Sequence, residues 1–488
     1  MSADVVIIGS GPNGLAAGVV MARSGLSVEI HEAAAEAGGG LRSAPLFDSS
    51  VVHDVCSAVH PMAAASRFFR EFDLAGRGVE LLQPEIGFAH PLDGGRAGLA
   101  YRDLDRTCDR LGADGARWRD LMLPLVRRSE AMVDLLLSDQ RRLPADPRAL
   151  SLLPRLPTRI LRHGTAWSRH LFSGPEAPAL LAGAEAHAVT GLPSLPAAAV
   201  GLLLGHLAHS SGWPVARGGS ARIADALIED FTAHGGRVHT GSPVTDIRQV
   251  RSARAVLLDL APRGVLDVAG PLLPAGYRGR LERYRYGPGA AKVDFLVSEP
   301  IPWAVPEIGR AGTVHLGGDQ MEVFARETAV ARGALPAEPF VLLSEPMAAD
   351  PSRGAPGRRP VWAYAHVPNG DPGDPVAAVR SRIERFAPGF GDTVLASRGV
   401  PAAAMESYNP NYVGGDIGAG AIGIRQMLAR PALRWDPYRT PLKGVYLCSA
   451  ATPPGPGVHG MAGYHAARSA LRTEFGIHAP PSLSPRRS

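Results

Sequence analysis

The chain has 488 residues, 45% of them hydrophobic and 20% charged. That is enough for two or three domains around sizeable cores and excludes a mainly disordered chain. Lys+Arg at 51 against Asp+Glu at 46 leaves a net charge of +5. The basic residues are scattered arginines, so nucleic acid is not an expected partner, while an anionic membrane surface stays open as a peripheral one. Cys56, Cys108 and Cys448 lie far apart without CxxC spacing. No disulfide framework is implied, and a reducing, cytoplasmic setting fits.

Residues 4–8, DVVII, read as a short buried parallel strand. A glycine-rich turn, Gly9–Gly14, follows, then a helix-periodic stretch ending at Gly25, then a second strand over 27–31 closed by Glu32. This is one βαβ unit at the start of the chain. Residues 103–170 read as long helices with proline breaks, and 176–210 as an apolar Ala/Leu-rich stretch. Ordinary helical core is the favoured reading of that stretch, with a tunnel wall or membrane contact as the alternative. Its longest apolar run, Leu195–Leu207, is too short to span a bilayer. A helix over 221–236 precedes a strand centred on Val244. Further strands are expected at 255–260, 290–297, 360–367 and 444–450, the last followed by a crowded Pro/Gly turn and a final helix. Residues 349–360 read as an exposed loop and the tail from His478 as disordered.

GxGxxG occurs three times, at Gly9–Gly14, Gly418–Gly423 and Gly455–Gly460. Only the first follows a strand, opens a helix and has an acid, Glu32, at the distance a ribose acceptor requires. Gly9 permits the tight turn, Gly11 lets backbone approach a pyrophosphate, and Gly14 lets helix pack on strand. Pro12 and Asn13 complete a helix N-terminus whose free N–H groups favour phosphate. Gly38, Gly39 and Gly40 followed by Arg42 match the GG-x-x-R element of glutathione-reductase-type flavoproteins, which lies against pyrophosphate and ribityl. Arg42 could grip a phosphate bidentately. Ser449, Ala450 and Ala451 leave room for a planar group, and the helix opening at Gly460–Met461 suits a flavin N1–C2=O locus. These signals favour FAD over a nicotinamide cofactor. No zinc-protease motif, nucleophile elbow or Cys/His cluster appears, so no metal is expected.

With these segments the chain resembles the phytoene-desaturase-like branch of the flavin amine oxidase superfamily, and most nearly its bacterial phytoene dehydrogenase-related members. The resemblance runs through VHDVCSAVHPMAAAS (52–66), WPVARGG, RYRYGPGAAKVDFLVSEPIPW (283–303), NPNYVGGDIGAG (409–420) and the C-terminal segment. It implies an α/β fold: a glutathione-reductase-type Rossmann domain (1–100, 212–260 and 430–488) interleaved with a substrate domain (101–211 and 261–429) of antiparallel sheet and helical cap. In that architecture Val244 lies over the adenine.

The resemblance also implies oxidation or desaturation of an apolar, isoprenoid or lipid-like substrate with hydride passing to flavin N5, and oxygen or a quinone as acceptor. With no second nucleotide fingerprint, NADPH is not expected as a direct partner. An amine oxidase, a redox-neutral isomerase or saturase, and a non-catalytic flavin-bound scaffold are the alternatives. The sequence specifies no oligomeric state. Candidate catalytic residues are His53 and His60, which flank Cys56, His459 in the C-terminal turn, and Lys292. Lys292 is one of only two lysines, and in related amine oxidases a lysine in a similar segment, followed some ten residues later by a tryptophan (here Trp303), assists flavin reoxidation. Its competing role is a structural pair with Asp294 or Glu299.

Overall fold

The computed structural model describes residues 3–139, 147–150 and 154–485. Two sheets organise the chain. The first is parallel, in the order Val445–Leu447, Ala255–Leu258, Val5–Ile8, Val28–His31, Arg237–His239. All four side chains of Val5–Ile8 are buried, as a central strand covered on both faces requires. The helices Pro12–Arg23, Ala221–Ala233 and Met461–Ala470 lie together on one face. Helix 12–23 meets helix 461–470 where Gly463 rests on the Asn13 carbonyl, leaving no space for a Cβ.

The second sheet has seven strands, in the order Val394–Val400, Gly289–Val297, Arg359–Val367, Val341–Ser344, Ala311–Leu316, Ile86–Leu92, Arg96–Tyr101. It is antiparallel except where 311–316 runs parallel to 86–92. One face carries Val293, Phe295, Val361 and Ala363 in an apolar cluster with Phe386 and Phe390. The other meets the helices Glu176–Ala186, Leu195–Ala208 and Gln320–Ala331.

Several expectations change. The hairpin 86–101, expected within the first dinucleotide segment (1–100), pairs into the second sheet through Phe88 opposite Thr313. Val244 is not in a strand. Pairing stops at His239, the chain turns at Gly241 (φ +60), and Pro243 has no N–H to continue a ladder. The helices at 176–186 and 195–208 are buried along nearly their whole length and form core. The 349–360 loop is exposed as expected at Ser352 and Arg358, but Asp350 and Arg353 are buried. The tail is docked as far as described: Leu483 is buried, Arg23 Nη1 donates to the Ser482 and Ser484 carbonyls, and Arg77 Nη2 donates to the Leu483 carbonyl. Part of the helical stretch expected over 103–170 falls on 140–146 and 151–153, outside the described residues. Among the described residues no helix is long and apolar enough to cross a membrane.

Candidate dinucleotide and redox site

The glycine turn sits at the carboxyl edge of the parallel sheet, between strands 5–8 and 255–258. Gly9 has φ +99, and a Cβ there would stand 2.9 Å from the Asp259 carbonyl. A Cβ on Gly11 would stand 2.7 Å from Asp259 Oδ2. The second glycine cluster nests on the first: a Cβ on Gly39 would lie 2.9 Å from Gly11 Cα, and Gly38 N donates to the Ser10 carbonyl at 3.1 Å. Two backbone turns stripped of side chains thus meet at the N-terminus of helix 12–23. That is a cradle that side chains would fill and a dinucleotide backbone can approach.

Glu32 is buried beside this cradle. Its Oε2 accepts from Ser10 N (3.0 Å) and Ser10 Oγ (2.6 Å), and its Oε1 from Ala34 N (2.8 Å). The carboxylate is therefore fixed at the strand end with lone pairs to spare. Arg42 lies over the Tyr408 ring at 5.0 Å, and its buried Nε has no partner. Tyr408 Oη donates to the Gly39 carbonyl at 2.7 Å, and Tyr412 Oη sits above Gly40, 3.3 Å from Cys56 Sγ. An orphaned guanidinium nitrogen beside a side-chain-free cradle fits an anionic cofactor backbone.

Asp259 was not singled out in the sequence, although an acid directly after the buried AVLL strand was its signal. The carboxylate occupies the helix terminus itself, accepting from Gly14 N at 2.9 Å. Burial raises its pKa to about 7, with the Glu32 charge adding to the rise and the N–H groups of Gly14 and Gly11 opposing it.

In the second sheet, Lys292 Nζ donates to Asp294 Oδ1 on the same face of strand 289–297. This is the pairing expected of residues two apart on a strand. Burial lowers the Lys292 pKa and the Asp294 charge opposes that. His53 Nδ1 is 3.7 Å from Asp294 Oδ1, and neither ring nitrogen of His53 has a hydrogen-bond partner. The tryptophan beside Lys292 is Trp362, with the ammonium 5.4 Å from its ring centroid. Trp303 belongs instead to the apolar cluster on the opposite face, with Val293 and Phe295, because the chain reverses between the strand end at Val297 and Trp303.

The other candidates have local partners. His60 Nε2 is bonded to Ser220 Oγ at 2.8 Å. His459 uses both nitrogens inside its own turn, Nδ1 accepting from Met461 N (3.0 Å) and Nε2 bonded to the Gly455 carbonyl (3.1 Å). It holds the turn that opens helix 461–470 at Gly460 (φ +67) and leaves no nitrogen for chemistry. Ala450 lies in the same segment, where Ser449 Oγ donates to the Leu260 carbonyl at 2.7 Å. Val244 packs on the cluster around Ile247 and Leu258. Asp416 accepts from the N–H groups of Gly418 and Gly420 in its own turn and from Gly287 N, so it ties that turn to the start of strand 289–297. A buried ion pair that the sequence did not reveal, Asp54 with Arg353 at 2.9 Å, ties the segment before Cys56 to the 349–360 loop.

Comparison with known proteins agrees with the first half of this geometry. Residues 7–72 match the NAD(P)-binding Rossmann-like domain family. Over its length the chain is 26% identical to the pyridine nucleotide-disulfide oxidoreductase domain-containing protein 2 of Rattus norvegicus, covering 96% of this chain and 93% of that protein. Among solved structures, cyclohexylamine oxidase from Brevibacterium oxydans superposes with TM-score 0.58 at 14% identity, covering 98% of this chain and 99% of that one. A putrescine oxidase redesigned in its cofactor binding gives the same TM-score, identity and coverage. At such identities the likeness is one of fold: a Rossmann-like dinucleotide domain joined to a second sheet, in the arrangement those oxidases share.

Proposed function

We propose that this chain is an FAD-dependent oxidoreductase. The observation that carries the reading is the nesting of Gly39 on Gly11 at the helix terminus beside Glu32. A simple nicotinamide domain has no use for the second turn. In this reading the dinucleotide unit is built from the N-terminal segment before residue 86, 212–260 and 430–488. Gly9, Gly11, Pro12, Asn13 and Gly14 cradle the pyrophosphate with Gly39, Gly40 and Arg42, Glu32 accepts from ribose hydroxyls, and Ala450, Gly460 and Met461 border the ring. When bound, FAD supplies the two-electron acceptor. Lys292, held by Asp294, places a buried positive charge at the redox end, where it stabilises developing negative charge. His53, whose ring nitrogens have no hydrogen-bond partner, is proposed to hold or pass a proton there.

The substrate is proposed to be apolar and lipid-like. What supports this class is the buried apolar cluster around Trp362, the ring nearest Lys292, which holds Ala58, Ala182, Ala290, Phe340 and Tyr364. Oxygen or a quinone is the proposed acceptor. The second reading, an amine oxidase, is favoured by the oxidase fold neighbours. The test is the absorbance spectrum of the purified chain, followed by anaerobic stopped-flow reduction with long apolar alkenes and with small amines. Stoichiometric FAD bleached by the apolar series supports the first reading, and bleaching by amines alone supports the second. FAD that no substrate bleaches would point to a scaffold, and absence of flavin binding would overturn both readings.

A further inference from the structure

The edge of the parallel sheet carries a cluster that the dinucleotide reading does not use. Strands 28–31 and 237–239 pair in parallel, with Glu29 opposite Arg237 and His31 opposite His239. Side chains two apart on a strand share a face, so Glu29, His31, Arg237 and His239 project together at the half-buried edge. The ligand atoms of Glu29, His31 and His239 all lie within 4.8 Å of one another. Glu29 Oε2 is 3.9 Å from Nε2 of His31 and 3.9 Å from Nε2 of His239, and the two rings stack with centroids 4.9 Å apart.

Three details suit a cation. His31 Nδ1 is bonded to Ser242 Oγ at 2.9 Å. A proton donated there leaves the Nε2 lone pair facing the cluster, as the outer hydrogen bond of a metal-bound histidine does. His239 Nε2 is buried without a hydrogen-bond partner. Arg237 Nη2 donates to Glu29 Oε1, the oxygen turned away from the imidazoles, and leaves Oε2 free. Two imidazoles and one carboxylate with a fourth position for water is a donor set for a borderline divalent d-block ion, zinc, cobalt or nickel. Tetrahedral ligation at ~2.1 Å needs donors roughly 3.4 Å apart, so each 3.9 Å gap from Glu29 Oε2 must close by about half an ångström.

We infer that Glu29, His31 and His239 form a zinc-class cation site that clamps the second strand of the dinucleotide sheet to its edge strand. Glu32 directly follows His31, and Glu32 N donates to the His239 carbonyl at 2.9 Å. The ion therefore staples the strand end that presents Glu32. The inference is independent of which redox reaction the chain performs.

The test uses the full-length chain with its affinity tag removed and metal stripped by chelator. Zn²⁺ alone is titrated calorimetrically at a pH of about 7.5, where imidazoles are deprotonated. One ion per chain with Kd near or below ~10 µM is expected. His31→Gln and His239→Gln each weaken binding at least about tenfold with unchanged folding in chelator. Arg237→Gln tightens binding, because it removes the competing guanidinium. Co²⁺ gives visible d–d absorption that both histidine variants lose. Wild-type affinity in both histidine variants would place the ion elsewhere and overturn the site. So would the absence of binding below ~100 µM in the wild type, or loss of binding in Arg237→Gln.

Discussion

Asp259 places a carboxyl group where a cofactor phosphate needs room, and its titration should be visible in both stability and flavin retention. Its pKa is raised from 3.8 to about 7, first by burial, with the Glu32 charge adding to the rise and the Gly14 and Gly11 N–H groups opposing it. Cys448, whose thiol burial and Asp259 push well upward, is the other titratable neighbour. Because the folded-state value is the higher one, the native chain holds this proton longer than the unfolded chain does. Stability is then fully present below about pH 4, falls as pH rises, and levels off above about pH 7. The shift of about 3 units at 1.36 kcal/mol each sets an upper bound of ~4 kcal/mol on that loss. Asp259→Asn keeps an acceptor for Gly14 N and removes the titration. Urea unfolding of the apo-proteins between about pH 5 and 8 should therefore show the variant gaining on the wild type by a few kcal/mol as pH rises. A phosphate anion beside the carboxyl disfavours its ionised form. FAD content of the wild type should consequently decline across the same range, while that of the variant holds. Parallel unfolding profiles, within about 0.5 kcal/mol throughout, would refute the burial argument.

Gly11→Val, whose side chain would start 2.7 Å from Asp259 Oδ2, and Gly39→Ala, strained at φ +55 and 2.9 Å from Gly11 Cα, should both purify without FAD; full, tight occupancy in either would displace the pyrophosphate from this cradle. Glu32→Ala should weaken FAD binding by about 1.5–3 kcal/mol, the range for a charged hydrogen-bond acceptor, read from flavin fluorescence on dilution. Lys292→Met should keep FAD and slow oxidation of the photoreduced protein by oxygen at least about tenfold, ~1.4 kcal/mol of barrier; unchanged reoxidation would leave Lys292 as a structural partner of Asp294. Arg353→Met strands a buried Asp54 and should cost about 3–5 kcal/mol in urea unfolding, and the double variant Asp54→Asn/Arg353→Met should recover much of it; equal losses in single and double variants would deny the coupling.

The parallel core was legible because its strands are short, apolar and punctuated by glycine, and because the helix after Gly14 carries its own start and stop signals. The cradle was legible for the same reason: glycines needed for positive φ or close approach stand out locally. Contacts between segments distant in sequence were not. Asp259 reaches Gly14 across 245 residues and Arg353 reaches Asp54 across 299, and nothing near either acid in sequence names its partner. Trp303 suggested itself by spacing from Lys292, but spacing along the chain carries no information about which sheet face a later turn delivers it to. Trp362 takes that place through the register of the neighbouring strand, where Asp294 faces Trp362. His459 looked chemical because it stands in a crowded turn, and the turn itself consumes both of its nitrogens. The histidine pair at the sheet edge was invisible for a related reason: His31 and His239 become neighbours only once the two strands align.

The central position of Val5–Ile8 also bears on how the chain comes to be made. One of its two partners is 255–258, whose own outer neighbour is 445–447, and the helices packed on Pro12–Arg23 are 221–233 and 461–470. During synthesis the first strand and helix leave the ribosome long before any of these exist. The apolar face of Leu15, Val19 and Ala22, buried in the finished protein, then stays uncovered while most of the chain is translated. Non-local pairing of this kind is slow and exposes aggregation-prone surface. A ribosome stalled before residue 445 therefore carries helix 12–23 without helix 461–470 and strand 255–258 without its outer neighbour. Such chains are natural clients for chaperones, and C-terminal truncation should lower soluble yield before it alters any chemistry.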